Sequence, residues 1–366
     1  MRLLNTILLS VIATTLIANS AIAQESQHRD AQRNIEQAYK AIDKLLSDAE
    51  YQSAIDTLES RDALSPKDYQ YLIDAYLNVD LDDAEDAAQR AIDAYPSDYR
   101  MYLSHASVMG AQASDSIFSA LGYAEKALNS LEKAVSIEPN NPQTLSALIS
   151  FYIAAPSIAG GDMEKAQQLV DQISILDEIE GKFNQARVYF ADDQSEKGEA
   201  LLLSMIEQTP AAQPSTLLRA HYLLGNHYRS SEDYDRSIAH FEKAAQVNLL
   251  QAPAADSRQA KDAYESARWR QLYAKYNVGR VALLADAETA KGIAFLEQYL
   301  HAYERFEYSS RGLPSPAWAK LRLSELLLDA KNIERARATF ASINIPQNKD
   351  YKNIHKKLAK TLRKAD

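Results

Sequence analysis

The chain has 366 residues, with 50 acidic against 40 basic groups, a formal net charge of −10 at pH 7, ten glycines and no cysteine. The lack of cysteine excludes disulfides, cysteine–zinc sites, thiol catalysis and a lipid-modified cysteine at the N-terminus. The acidic balance argues against nucleic acid and anionic membrane surfaces as general partners, because both carry the same sign of charge.

Residues 1–23 read as a secretory signal peptide. Arg2 supplies the positive start, Leu3–Ala18 is almost wholly apolar, and Ala21-Ile22-Ala23 before Gln24 is a small-residue cleavage signal. Cleavage there leaves 39 basic against 50 acidic groups, a net of −11, because Arg2 is the one charged residue ahead of Glu25. The expected location is the bacterial periplasm, and membrane contact by the mature chain is not expected. Residues 24–30 are polar and read as a flexible leader. From residue 31 to 366, few glycines, scarce β-branched runs and abundant Ala, Leu, Glu and Lys predict helix throughout.

The helices come in pairs. Ile35, Ala38, Ile42 and Leu45 form the apolar stripe of the first. The second begins at the N-cap Ser65 with Pro66 and ends at Pro96, and its later half carries Ala84, Ala88 and Ala91. The third repeats that spacing at Ala127, Leu131, Ala134 and Pro139, after an extra stretch near 111–121. The fourth has Leu145, Leu148 and Tyr152, and then an insertion near 155–161. The fifth closes on Gly198, Leu202, Met205 and Pro210. In the sixth, Leu224-Gly225 and Tyr228 are followed by Phe241 and Ala244. The seventh keeps Val278-Gly279 and Phe295 behind extra residues near 252–271, and the eighth has Leu323, Leu327, Ala336 and Phe340. A last helix, Tyr351–Lys364, has Ile354, Leu358 and Leu362 on one side and basic residues on the other, as suits the wet outer face of a capping helix.

The period near 34 residues, with Leu-Gly-x-x-Tyr and Phe-x-x-Ala at their proper offsets, resembles the tetratricopeptide repeat (TPR) family over roughly residues 37–345. The resemblance implies an all-α, right-handed α-solenoid of about eight helix pairs with a C-terminal capping helix, since such a pair cannot bury its apolar face alone. Residues 116–161 are also similar to a group of secreted bacterial TPR proteins, a likeness that implies no activity.

No catalytic constellation is present: there is no His-Glu-x-x-His pair, no Gly-x-Ser-x-Gly elbow and no phosphate-binding glycine loop. The protein is therefore expected to be no enzyme and to need no cofactor or metal. The acidic run Asp80, Asp82, Asp83, Glu85, Asp86 is accounted for by the positive end of a helix dipole. The loop of Pro156, Ile158, Gly160 and Gly161 either tucks Ile158 against the stack or offers it to a partner.

In a TPR solenoid the first helix of each pair lines a concave groove. The resemblance places Arg219, Tyr222, Asn226 and Arg229 there from the sixth pair, Tyr273, Tyr276, Asn277 and Arg280 from the seventh, and Trp318 and Arg322 from the eighth. Asn226, Asn277 and Arg322 match three positions of the carboxylate clamp with which some TPR domains hold a peptide C-terminus. The clamp's two lysines are replaced by Tyr222 and Trp318. The implied partner is a protein or peptide of unstated identity, bound by a scaffold or adaptor of the envelope. A self-associating structural protein is the alternative.

Overall fold

The computed structural model describes residues 33–116, 118–210, 213–249, 258–344 and 349–365. The expected signal peptide and leader lie outside the described residues.

Among the described residues there are seventeen α-helices and no strand. The first, α1, spans 33–47. It pairs with α2 (Tyr51–Glu59), and then come α3 (Pro66–Tyr76) with α4 (Leu81–Ala94), α5 (Tyr99–Asp115) with α6 (Ala120–Ile137), and α7 (Pro142–Ala154) with α8 (Met163–Leu176). The second half repeats the scheme with α9 (Glu178–Ala191) and α10 (Ser195–Gln208), α11 (Pro214–Ser230) and α12 (Tyr234–Gln246), α13 (Arg258–Ala285) and α14 (Thr289–Tyr303), and α15 (Pro316–Asp329) and α16 (Ile333–Ala341). Helix α17 (Lys349–Lys364) covers the end. The architecture is thus an all-α solenoid of eight hairpins and a cap.

Local chemistry sets the joints. Ser65 accepts from the Asp68 amide while Asp68 returns a bond to the Ser65 amide, with Pro66 in the first turn. Asp80, Asp162, Asp177 and Asp233 cap α4, α8, α9 and α12 in the same sense, so part of the acidic run at 80–86 is a cap. Inside several hairpins one residue turns through left-handed backbone: Ala49, Asp193, Glu232 and Lys331, with φ between 54° and 62°.

The hairpins close by fitting a large side chain over a small one. A methyl group at Gly225 would lie 2.8 Å from the Phe241 ring, and one at Gly279 only 2.3 Å from Leu296. This close approach is the physical content of the glycine in the repeat motif. The buried side chains run from Ile42, Leu58 and Tyr71 at one end to Phe241, Tyr299, Leu327 and Tyr351 at the other.

Of the extra residues near 111–121, 111–115 form the end of α5 and 120–121 the start of α6, and those helices reach 17 and 18 residues. Those near 258–271 lengthen α13 to 28 residues, and 250–257 lie outside the described residues. At 155–161 the chain makes a single 3-10 turn, Ser157–Ala159. It is ended by Gly160 at φ 94° and by Gly161, where a Cβ would collide with the Ala155 carbonyl. Ile158 is 82% exposed at its tip, so it does not tuck against the stack.

The superhelix bends far enough for its two halves to touch. The segment 304–315, between α14 and α15, crosses the concave side as a strap. Its Arg311 forms an ion pair with Asp74 of α3 and lies 5.3 Å over the Tyr71 ring. Ser309 donates to Asp43 of α1 at 3.0 Å. On its own side the strap is held by Trp269, whose indole donates to the Arg311 carbonyl at 2.9 Å, and by Tyr299, which donates to Pro314.

Candidate functional site: the concave groove

The groove is built by α9, α11, α13 and α15, whose exposed stripes face inward because their opposite faces are committed to the core. Between α13, α15, the strap and the N-terminal hairpins lies a cavity of about 520 Å³, lined among others by Tyr273, Tyr276, Arg280, Trp318, Arg322, Arg311 and Asp74. That volume lies in the range of pockets that take small ligands or short chain segments.

Of the residues placed in the groove by repeat position, Tyr273, Tyr276, Arg280, Trp318 and Arg322 line this cavity, whereas Arg219, Tyr222, Asn226, Arg229 and Asn277 do not. Arg280 lines the cavity with no hydrogen-bond or ion-pair partner among the described residues. Arg322 pairs with Glu325 at 2.8 Å and lies 5.6 Å from the Trp318 ring. Trp318 packs edge-on to Tyr351 of the cap at 5.0 Å. Arg219 pairs with Glu180 and stacks over Phe183 at 4.2 Å. Arg229 reaches only the Asn226 amide oxygen, at 3.4 Å, and its buried Nε has no partner.

Two positions depart from the clamp arrangement. Asn277 is 2% exposed, because α13 leans onto α11, and its amide serves Tyr222. Asn226 spends its amide on the Tyr222 carbonyl at 3.1 Å. Asn226, Asn277 and Arg322 therefore do not converge as free donors. Tyr276 is also buried, at 5% exposed, and only its edge reaches the cavity. Pro156, Ile158, Gly160 and Gly161 form a separate turn that lines none of this cavity.

Repeat position alone missed three arginines. Arg187 of α9 donates to Asn184 and Ser150, both neutral, at 3.0 and 2.6 Å. Arg270 of α13 has no hydrogen bond or ion pair among the described residues, and Arg311 comes from the strap. A signal for Arg270 was present in the sequence. Arg219, Tyr222, Asn226 and Arg229 are spaced 3, 4 and 3 apart, and Arg270, Tyr273, Asn277 and Arg280 repeat the same residues at the same spacing. Such spacing puts all four on one helix face. Arg311 carried no comparable signal.

The electrostatics follow from this crowding. Burial, with Arg219 beside it, lowers Arg270 to about 10. Burial, then Arg280, lowers Arg229, and burial, then Arg219, lowers Arg187. Burial, with Tyr273 next to it, pushes the Tyr222 hydroxyl up to about 12, so it stays a neutral donor. Among the described residues no group of three or more His, Asp or Glu is placed to hold a metal ion, and no helix is long and apolar enough to cross a membrane.

Fold and groove together define an α-helical repeat solenoid with a concave groove, a fold that suggests a protein-interaction scaffold. The tetratricopeptide repeat model matches residues 116–141 and 218–249. By structure the chain is similar to yeast Tom70, at 14% identity and a TM-score of 0.51, over 87% of this chain and 59% of that one. It therefore spans less than two thirds of that relative. Two others align with 15–16% identity. A tetratricopeptide repeat protein from Parabacteroides merdae has a TM-score of 0.36 (81% of this chain, 98% of that one). The apo quorum sensor NprR from B. thuringiensis has 0.38 (90% and 94%). No curated protein matches the chain in sequence. The chain thus carries tetratricopeptide-repeat segments at 116–141 and 218–249 and shares the solenoid fold of such proteins.

The strap gives one direct expectation. Arg311→Ala leaves Asp74 without its cation, in a pair whose side chains are each less than a third exposed. The expected cost is about 2 kcal/mol, between the values for exposed and buried pairs. The larger effect is on shape. Small-angle scattering should show a larger radius of gyration and a broader distance distribution, and an unchanged profile would mean that the strap does not hold the halves together.

Proposed function

We propose that this protein is a non-enzymatic scaffold or adaptor of the bacterial cell envelope. It is exported by residues 1–23 and holds a protein or peptide partner in its concave groove. The observation that carries this reading is the inward-facing row of Arg229, Arg280 and Arg322 beside Tyr273 and Trp318 on α11, α13 and α15, the first helices of three successive hairpins. Two of these arginines have little or no internal counter-charge. Aromatic and guanidinium groups in a sheltered groove are what protein recognition sites use most. The A-x-A signal ahead of Gln24 supports the location.

The test is a pull-down from envelope extract with residues 24–366, beside an Arg280→Ala/Arg322→Ala form checked for unchanged helicity. The expected result is a specific protein retained by the natural chain and lost from the variant. Equal retention by both would remove the groove from the function. A large homo-oligomer retaining nothing would favour the self-associating alternative.

A further inference from the structure

The concave groove is a two-rung ladder. Helices α11 and α13 carry the same stripe, Arg-x-x-Tyr-x-x-x-Asn-x-x-Arg, at 219–229 and 270–280. The two stripes lie in register. Tyr222 and Tyr273 sit with ring centroids 6.2 Å apart, and Asn277 serves Tyr222. Arg219 adds to the cost of charge on Arg270, and Arg280 does the same for Arg229. Like charges are thus stacked in pairs at both ends of the stripe, with a tyrosine pair between them. Only Arg219 has a carboxylate partner, Glu180.

This arrangement is unfavourable in the empty protein. Two guanidinium groups held together out of bulk water repel, and Arg229 Nε lacks any acceptor. In a chain of net charge −10 there are ample carboxylates that could have been placed opposite them. A ligand that brings one carboxylate to each arginine pair removes both penalties and gains charge-assisted hydrogen bonds.

The spacing defines the ligand further. Arginines ten residues apart on an α-helix stand about 15 Å apart along its axis, at 1.5 Å per residue. An extended peptide covers that distance in about four or five residues, at roughly 3.3 Å each. One compact anion cannot reach both ends.

Resting on the groove reading above, we infer that the groove binds an extended acidic peptide segment with two carboxylate side chains about four or five residues apart. One carboxylate sits at the Arg219/Arg270 end and the other at the Arg229/Arg280 end, and the residues between them lie on Tyr222 and Tyr273.

The experiment selects peptides from a random phage-displayed library on the full mature chain. Selected peptides are then titrated against Arg270→Gln, Arg280→Gln and Tyr273→Ala forms of checked helicity. The expected result is enrichment of paired Asp or Glu at that spacing, with each arginine variant weakening binding at least about tenfold, the lower end for a lost charged hydrogen bond. Added salt should weaken binding as well. Peptides that lack the acidic pair but still depend on Tyr273 overturn the two-carboxylate inference and leave the groove reading standing. Binding indifferent to all three variants, or no enrichment, overturns both. Complete displacement by inorganic pyrophosphate at matched concentration assigns the arginines to a compact anion and overturns the inference.

Discussion

Phe241→Ala is expected to destabilise the protein by about 3–5 kcal/mol, the usual cost of emptying an aromatic site in a packed core. Phe241 is fully buried, its ring lies against Gly225 of the preceding helix, and Tyr222 meets it edge-on at 5.6 Å. Little can collapse into the space, because α11 is held on its other side by α13. Gly225→Ala makes the opposite error, adding a methyl where 2.8 Å is available, and should cost roughly 1–3 kcal/mol. The two changes share one site, so they should couple: with the ring gone, the added methyl has room. Urea titration of the single and double variants checks this. A double variant whose loss equals the sum of the two singles would show that Gly225 is not there for the ring.

The second large effect is acid destabilisation through His221 and His240. Their Nδ1 atoms stand 3.0 Å apart, and the residues are 7% and 9% exposed. Burial lowers both to about 4, with His240 and Lys243 adding to the effect on His221, and Lys243 and Arg236 on His240. Two nitrogens at that distance share one hydrogen when both rings are neutral, and protonation removes the acceptor. The folded chain thus resists protons that the unfolded chain takes up near 6.5. Stability is therefore greatest above 6.5 and falls as pH drops from there towards 4, by an amount on the order of 3 kcal/mol per ring. The rings titrate as a pair, so the loss belongs to both together. Denaturation midpoints across this range should fall steeply for the natural chain and less steeply for His240→Gln. Parallel slopes would clear the pair of responsibility.

The hairpins were legible because their motif is local. Gly225 and Phe241 are sixteen positions apart, and their steric fit recurs at Gly279 and Leu296. That is why the repeat spacing located all eight pairs and the cap. The groove was only half legible. Helix position tells which way Arg229, Arg280 and Arg322 point, but not how closely α13 leans on α11, and that lean buries Asn277. Arg270 escaped notice because it lies in a stretch that read as an insertion, although the 3-4-3 spacing ending at Arg280 already included it. The strap was not legible at all. Arg311 and Asp74 meet because small rotations accumulate over many hairpins, and no local pattern records their sum.

That meeting has a consequence for how the molecule comes apart. A linear array of repeats frays from its ends, since each terminal unit has one neighbour only. Here residues 237 positions apart in sequence are joined, and the terminal unit, whose Asp43 accepts from Ser309, gains a second neighbour in the strap. The array becomes a loop of nearest neighbours with fewer free ends from which to unzip. Its halves lose structure together, and the join, having the highest contact order in the fold, forms last when the chain assembles.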